Sequence, residues 1–208
     1  SRPDRRAMSS LYSSFIGRLL PNTFVDDEFG SLQCLFLLFR HLLMYHDPQL
    51  CQHLDSHEMG PELYASSWFL TLYSNRCKLE VTLHLWDLLI LDSTDDPLLH
   101  YFVSLALLIA NRAVLMRENV VSLPEVLSKL TIASKKDAYT LVQRAKRLYR
   151  ANTPQAMRDK LSQVTSQKIA IDSPTFVELS QWSAVQVGVD ELIDALVQGG
   201  GAVSYTHL

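Results

Sequence analysis

The chain of 208 residues lacks most of the short patterns that mark a chemical function. Its three cysteines, Cys34, Cys51 and Cys77, have no CxxC or other metal-ligand spacing, which predicts reduced thiols rather than a metal site. His53 and His57 lie four apart, but they lack the HExxH arrangement. There is no GxxxxGK[ST], GxGxxG or GxSxG pattern, so the sequence predicts no nucleotide cradle, no nucleophile elbow and no cofactor.

Long apolar runs and a strong charge of one sign are also missing. The net charge of −3 gives no reason to expect nucleic acid or an anionic membrane as a ligand. The best apolar run, 98–110, falls short of the roughly 18 residues that a membrane span needs. It also carries His100 and Ser104, so it predicts a buried helix. The overall content, 48% hydrophobic and 20% charged residues, is typical of a folded globular domain.

What the sequence does have is a helical apolar period along most of its length, which predicts an all-α fold. Asp47-Pro48 and Asp96-Pro97 each offer a capping carboxylate followed by a proline that suits the first helical position. Ser122 and Glu125 have the spacing of a capping box. The expected helices lie at 8–20, 29–45, 48–56, 63–73, 79–90, 97–118, from 122 onward, 134–149 and 154–164.

The two helices at 63–73 and 79–90 each contain one tryptophan, and a turn at 75–78 separates them. We interpret Trp68, Phe69 and Trp86 as parts of a structural core motif, since large apolar side chains at helical spacing are most often core residues. For Asp87, which follows Trp86 directly, we expect a structural ion pair.

The helix at 134–149 concentrates positive charge in a chain that is acidic overall. Such a run is most often a solvated helix face. The functional alternative is a contact surface for an acidic partner segment or for anionic headgroups. The candidate residues for that contact are Lys135, Arg144, Lys146 and Arg147.

The pattern changes after residue 164. Residues 166–180 have no clean period and predict a linker. Residues 183–189 alternate and are rich in valine, which predicts a short strand, and 190–197 predict a helix. The last ten residues, 199–208, share no pattern with the rest and have the character of vector or adaptor translation, which predicts that they are not part of the fold.

Three segments in a fixed order resemble one known family. They are FRHLLMYHDPQLC at 39–51, YASSWFLTL at 64–72 and LHLWDLLI at 83–90. Together they resemble the C-terminal lobe of a TBC domain, the helical module of Rab GTPase-activating proteins. The resemblance implies a TBC C-terminal lobe at 1–164, a linker at 165–182, the start of a rhodanese-like domain at 183–198 and the artefactual tail at 199–208.

In active members of that family, an Arg in IxxDxxR and a Gln in YxQ stabilise the transferred phosphoryl group and orient the attacking water. This chain has no YxQ. Its one IxxD, at 169–172, has Thr175 where the Arg is required. No rhodanese catalytic cysteine loop is present either. These residues therefore predict no catalytic site, although an active Rab-GAP domain whose fingers lie upstream remains open.

A TBC domain followed by a rhodanese-like segment resembles an adaptor branch of the family. That resemblance implies a pseudo-GAP that tethers endosome-derived vesicles to golgins, peripheral to the trans-Golgi network or to endosomal vesicles. The implied partners are a golgin-type tether or a Rab-family GTPase. The segment at 64–72 lies closer to the general family consensus, so a branch that joins TBC, kinase-like and rhodanese domains is the rival.

Overall fold

The computed structural model describes residues 29–92 and 98–184, together with four upstream positions, Ser13, Ser14, Gly17 and Leu19. All regular structure in this part is helical, as the all-α prediction requires. None of its helices is both long and apolar enough to cross a membrane. In chain order the helices are α1 (Gly30–His46), α2 (Pro48–Ser56), α3 (Pro61–Tyr64), α4 (Ser66–Thr71), α5 (Leu79–Asp92), α6 (Leu99–Ala110), α7 (Arg112–Leu115), α8 (Leu123–Lys129), α9 (Lys135–Arg147), a π-helical turn (Leu148–Asn152), α10 (Gln155–Ser166) and α11 (Pro174–Ala184).

Helix α1 is the centre of the fold. Its side chains are apolar almost all round, and most of them are buried. A helix of this kind must be covered on every side, because an apolar face left in water forgoes its burial free energy. Helices α2, α3, α6, α10 and α11 all pack against it. The expected helix at 29–45 is therefore confirmed, shifted by one residue.

The start of α2 follows the predicted capping chemistry. Pro48 is its first residue, and Asp47 Oδ1 accepts a hydrogen bond of 3.1 Å from the backbone N–H of Leu50. The other carboxylate oxygen of Asp47 accepts from Arg112 Nε at 2.8 Å. One carboxylate thus caps α2 and also ties it to α7, which lies far away in the sequence.

Two other boundaries differ from the predictions. The helix expected to run to about residue 118 ends at Ala110, where the Asn111 side chain donates to the carbonyl of Leu107 at 2.8 Å. The capping box at Ser122 is wrong, because the Ser122 side chain accepts no bond from the first turn of α8. Instead Asn119 Oδ1 accepts from the backbone N–H groups of Val121 and Ser122, at 2.9 and 3.2 Å.

The segment predicted as an irregular linker is also corrected. Residues Pro174–Ala184 form α11, which packs on α1 beside α10. Between the two helices, the N–H of Ile169 donates to Ser31 Oγ at 3.0 Å. A Cβ at Gly30 would lie 2.1 Å from the Ile169 carbonyl oxygen, so the glycine permits this close approach. These long-range contacts order a segment that has no helical period of its own.

The expected strand at 183–189 is not supported. Ser183 and Ala184 belong to α11, and residues 185–198 lie outside the described residues. The domain boundaries assigned at 164, 182 and 198 stay predictions. So does the artefactual tail at 199–208, and the helix start at Asp96-Pro97 also lies outside the described part.

Two buried histidines make the fold sensitive to acid. Burial lowers the pKa of His100 to about 3 and that of His46 to about 4, from an ordinary value of 6.5. Neither ring nitrogen of His100 has a hydrogen-bond partner in the described residues, whereas His46 Nε2 lies 2.8 Å from Thr153 Oγ1. The unfolded chain therefore binds protons more readily than the folded chain as the pH falls below 6.5.

We expect the free energy of unfolding to hold above pH 6.5 and to fall by at most about 1.4 kcal/mol per pH unit per histidine below it. Urea unfolding of the wild type and of His100→Phe at pH 7.0 and 5.0 measures this. Phe fills the apolar site without titrating, so the variant should lose less stability than the wild type between the two values. Equal losses would contradict the assignment.

Candidate partner-binding surfaces

The second segment of the resemblance, at 64–72, lies in the core. Trp68 and Phe69 are each only 1% exposed. The Trp68 ring lies 5.6 Å from the Tyr64 ring, centroid to centroid. The Phe69 ring makes edge-to-face contacts with Phe39 of α1 at 5.2 Å and with Tyr101 of α6 at 5.0 Å. These contacts join four helices, α1, α3, α4 and α6, and the two side chains are enclosed among them.

The helix predicted at 63–73 is broken twice. It splits at Ala65 into α3 and α4. It then ends at Thr71, because Leu72 and Tyr73 have left-handed backbones with φ of 45° and 68°. Side chains this bulky rarely adopt that conformation, at a cost of roughly 1–2 kcal/mol each. Contacts with α5 and α6 offset this cost.

Both left-handed residues of the turn, Leu72 and Tyr73, are held by hydrogen bonds to neighbouring helices. Trp86 Nε1 of α5 donates to the Leu72 carbonyl at 2.8 Å. The Tyr73 hydroxyl donates to the His100 carbonyl of α6 at 3.2 Å and also bonds Ser104 Oγ. Trp86 is only partly buried, unlike Trp68. It packs at the edge of the core and holds the turn through its hydrogen bond to Leu72.

Asp87 differs from the expectation. It is exposed on α5 and forms no ion pair with any described residue. One residue step turns a helix by about 100°, which carries Asp87 away from the inward side of Trp86 and toward solvent. The ion pair of α5 belongs instead to Asp92, which bonds Lys146 Nζ at 2.6 Å.

The four basic candidates on α9 do not share one face. Nine residues separate Lys135 from Arg144, which places them roughly 180° apart around the helix. Lys146 is already paired with Asp92. Arg147 is exposed, and cations in the last turn also complement the negative end of the helix dipole. The structure therefore supports a solvated face on α9, with a cationic end formed by the basic residues of its last turn.

That cationic end borders a shallow cavity that the sequence did not indicate. The cavity has a volume of about 310 Å³ and lies where α9 meets the π-helical turn. Its lining residues are Gln143, Lys146, Arg147, Arg150 and Ala151. Gln143, Lys146, Arg147 and Arg150 are spaced by three and four positions, so they share one face of the helical stretch that runs from α9 into the π-helical turn.

A second cleft was also missed. It lies between α1, α11 and the loop before α3, and it holds Arg40 and Asp55. Fifteen residues separate this ion pair in the sequence, and only the α1–α2 turn brings the two side chains together. No local pattern could have indicated the cleft, since α11 was itself not expected.

The histidine pair does not assemble a metal site with its neighbours. The His53 and His57 rings lie 4.5 Å apart, centroid to centroid, and His57 Nδ1 lies 2.7 Å from the His53 carbonyl oxygen. Within the part of the chain that the structure describes, no three His, Cys, Asp or Glu side chains converge. Burial raises the pKa of the Cys34 and Cys51 thiols to about 12, so neither is an activated nucleophile.

The helical fold and its two tryptophan segments match a known family. The Rab-GTPase-TBC domain model matches residues 6–116, just over half of the chain. The chain therefore belongs to the TBC domain family. The match ends well before 183–198, so the expected rhodanese-like segment stays a prediction.

Several curated proteins share this similarity. TBC domain-containing protein kinase-like proteins of Homo sapiens and Gallus gallus are 36% identical over 85 residues, which is 41% of this chain and 10% of each relative. The protein of the same name from Dictyostelium discoideum is 28% identical over 113 residues, 54% of this chain and 11% of that protein. TBC1 domain family member 1 of Homo sapiens is 34% identical over 87 residues, 41% of this chain and 7% of that protein.

The chain thus spans about a tenth of the length of these kinase-like curated relatives. The name of those relatives corresponds to the rival branch, which joins TBC and kinase-like domains. The preferred resemblance to the adaptor branch is not shown.

The two tryptophans should differ in their effect on stability. Trp68→Ala should lower the free energy of unfolding by roughly 3–5 kcal/mol, because it empties a closed site. Trp86→Phe keeps an aromatic ring and loses the bond to Leu72, so it should cost about 1 kcal/mol. Urea unfolding followed by circular dichroism measures both.

Leu91→Ala serves as the control, because Leu91 is 78% exposed. It should change stability by less than about 0.5 kcal/mol. A Trp68→Ala protein as stable as the Leu91 control would mean that Trp68 is not a core residue.

Proposed function

We propose that this chain is the C-terminal lobe of a TBC domain and acts as a binding module rather than as a source of catalytic residues. It would hold a Rab-family GTPase or a golgin-type tether during vesicle traffic between endosomes and the trans-Golgi network. One observation carries this proposal. The lobe has a closed core around Trp68 and Phe69, and its sequence holds neither IxxDxxR nor YxQ.

The single IxxD segment supports the same view. Ile169 is 3% exposed, and its N–H is bonded to Ser31 on α1, so the segment serves packing. It also lies outside the residues that match the family model. Thr175, at the position an arginine finger would need, cannot neutralise charge on a transferred phosphoryl group.

An assay of GTP hydrolysis tests this proposal. Purified Rab GTPases loaded with GTP are mixed with the chain, and phosphate release is followed under single-turnover conditions. We expect the intrinsic rate, with complex formation visible by biolayer interferometry. A TBC protein that carries both finger motifs is the positive control, with an acceleration on the order of 10³-fold or more.

An acceleration by this chain comparable to that control would overturn the proposal. The alternative function is the C-terminal half of an active Rab-GAP, with its Arg and Gln fingers upstream. The sequence of the parent transcript upstream of Ser1 discriminates between the two, because the enzyme needs both motifs there.

The location and the golgin partner are the finer part of the proposal. A fluorescently tagged full-length parent should co-localise with trans-Golgi or endosomal markers, and golgin segments on beads should retain the chain. A uniform distribution together with no retention would leave only the Rab-binding part standing.

Of the basic candidates, Arg147 is the best placed for an acidic partner. It is exposed and borders the cavity with Arg150, whereas Lys135 lies at the far end of α9. Arg147→Glu should weaken binding to the retained Rab or golgin by roughly five-fold at low salt, and less at high salt. Lys135→Glu is the matched control and should change affinity less. Equal effects of the two variants would argue for a general charge effect instead of a contact at this cavity.

A further inference from the structure

The cleft between α1 and α11 is lined on three sides. Its floor is one face of α1, where residues at spacings of three and four positions line up. Helix α11 forms the second wall, and the end of α2 with the start of α3 forms the third. The volume is about 320 Å³, at the lower end of ligand pockets. Its lining includes Phe36, Leu37, Arg40, Asp55, Glu62 and Phe176.

The ion pair at the base of the cleft is already satisfied. Arg40 Nε and one terminal guanidinium nitrogen donate to the two oxygens of Asp55, at 3.0 and 2.7 Å. The Cys51 thiol adds a longer contact of 3.7 Å to the same carboxylate. Because the paired charges cancel, Arg40 offers little attraction to an incoming anion.

The carboxylate of Glu62 is different, since it has no ion pair among the described residues. It lies close to Gly60, where an added Cβ would come within 2.2 Å of its Oε1. A side chain at position 60 would push this carboxylate aside. The cleft therefore combines apolar walls with one uncompensated negative charge at its mouth.

We propose that this cleft binds an arginine side chain presented by an extended segment of a partner protein. The aliphatic stem would lie along the partly buried side chains of Leu37 and Phe176, above the buried ring of Phe36, and the guanidinium would bond Glu62. Arginine suits the site better than lysine, because its weakly hydrated planar group stacks on aromatic faces and binds carboxylates through two donors. The site does not depend on whether the partner is a Rab or a golgin.

The charge of the lining excludes the opposite occupant. An acidic side chain would meet Glu62 and the paired Asp55, and Arg40 is held by Asp55. A neutral apolar side chain could enter, but it would leave the Glu62 carboxylate without a cation. The α1–α11 cleft and the cationic end of α9 thus favour ligand groups of opposite charge.

The test is a titration of the full ¹⁵N-labelled chain with the capped peptide Ac-Ala-Leu-Arg-Leu-Ala-NH₂, followed by two-dimensional NMR. Matched peptides carry lysine, norleucine or glutamate in place of arginine. We expect saturable shifts at the amides of Gly60, Glu62 and Phe176. The arginine peptide should bind roughly three- to ten-fold tighter than the norleucine peptide, as expected for one exposed ion pair with a cation–π contact.

Glu62→Gln should lower that preference by about two-fold or more, because it removes the ion pair and leaves the contact with the aromatic ring. Glu80→Gln, at an exposed carboxylate of α5, is the matched control and should retain the preference. The spectrum of each variant shows directly whether it is folded. Equal binding of the arginine and norleucine peptides, shifts centred elsewhere, or an unchanged preference in Glu62→Gln would each overturn the proposal.

Discussion

The ring of Phe69 fixes how the central helices of this fold pack against one another. It contacts Phe39 and Tyr101 edge to face, and it stacks against Phe36 at 5.9 Å with an interplanar angle of 16°. Aromatic rings prefer these two arrangements, and each pair adds roughly 0.5–1.5 kcal/mol to the burial free energy. One side chain on the short helix α4 therefore fixes α1 and α6 at once, and the remaining helices pack around that unit.

The strained turn after α4 begins three residues beyond this contact. Its Tyr73 hydroxyl bonds Ser104 on α6, and its Leu72 carbonyl accepts from the Trp86 indole on α5. Two left-handed residues make both bonds possible. The second tryptophan thus stabilises the chain reversal, while the first fills the core. Their similar sequence settings conceal two different roles.

The parts of the fold that could be predicted have local causes. Asp47 and Pro48 lie next to the helix they start, and Ser134 accepts from the N–H of Asp137 in the first turn of α9. The parts that could not be predicted have distant causes. Helix α11 is ordered by α1, and the N–H groups near Ser122 bond Asn119 in place of the expected box partner. The α1–α11 cleft exists because α11 packs on α1, so the local sequence pattern could not indicate it.

In the segment at 64–72, burial keeps the large aromatic side chains away from any ligand. Trp68 and Phe69 are enclosed, and Tyr64 of the same segment is 5% exposed. The residues beside them are not enclosed. Pro61 and Tyr64 are buried on α3, which turns Glu62 between them toward solvent at the mouth of the cleft. The core segment therefore acts on binding indirectly, by holding a surface carboxylate in place. Because that carboxylate has few packing constraints of its own, partner preference can change at Glu62 while the helical core stays the same.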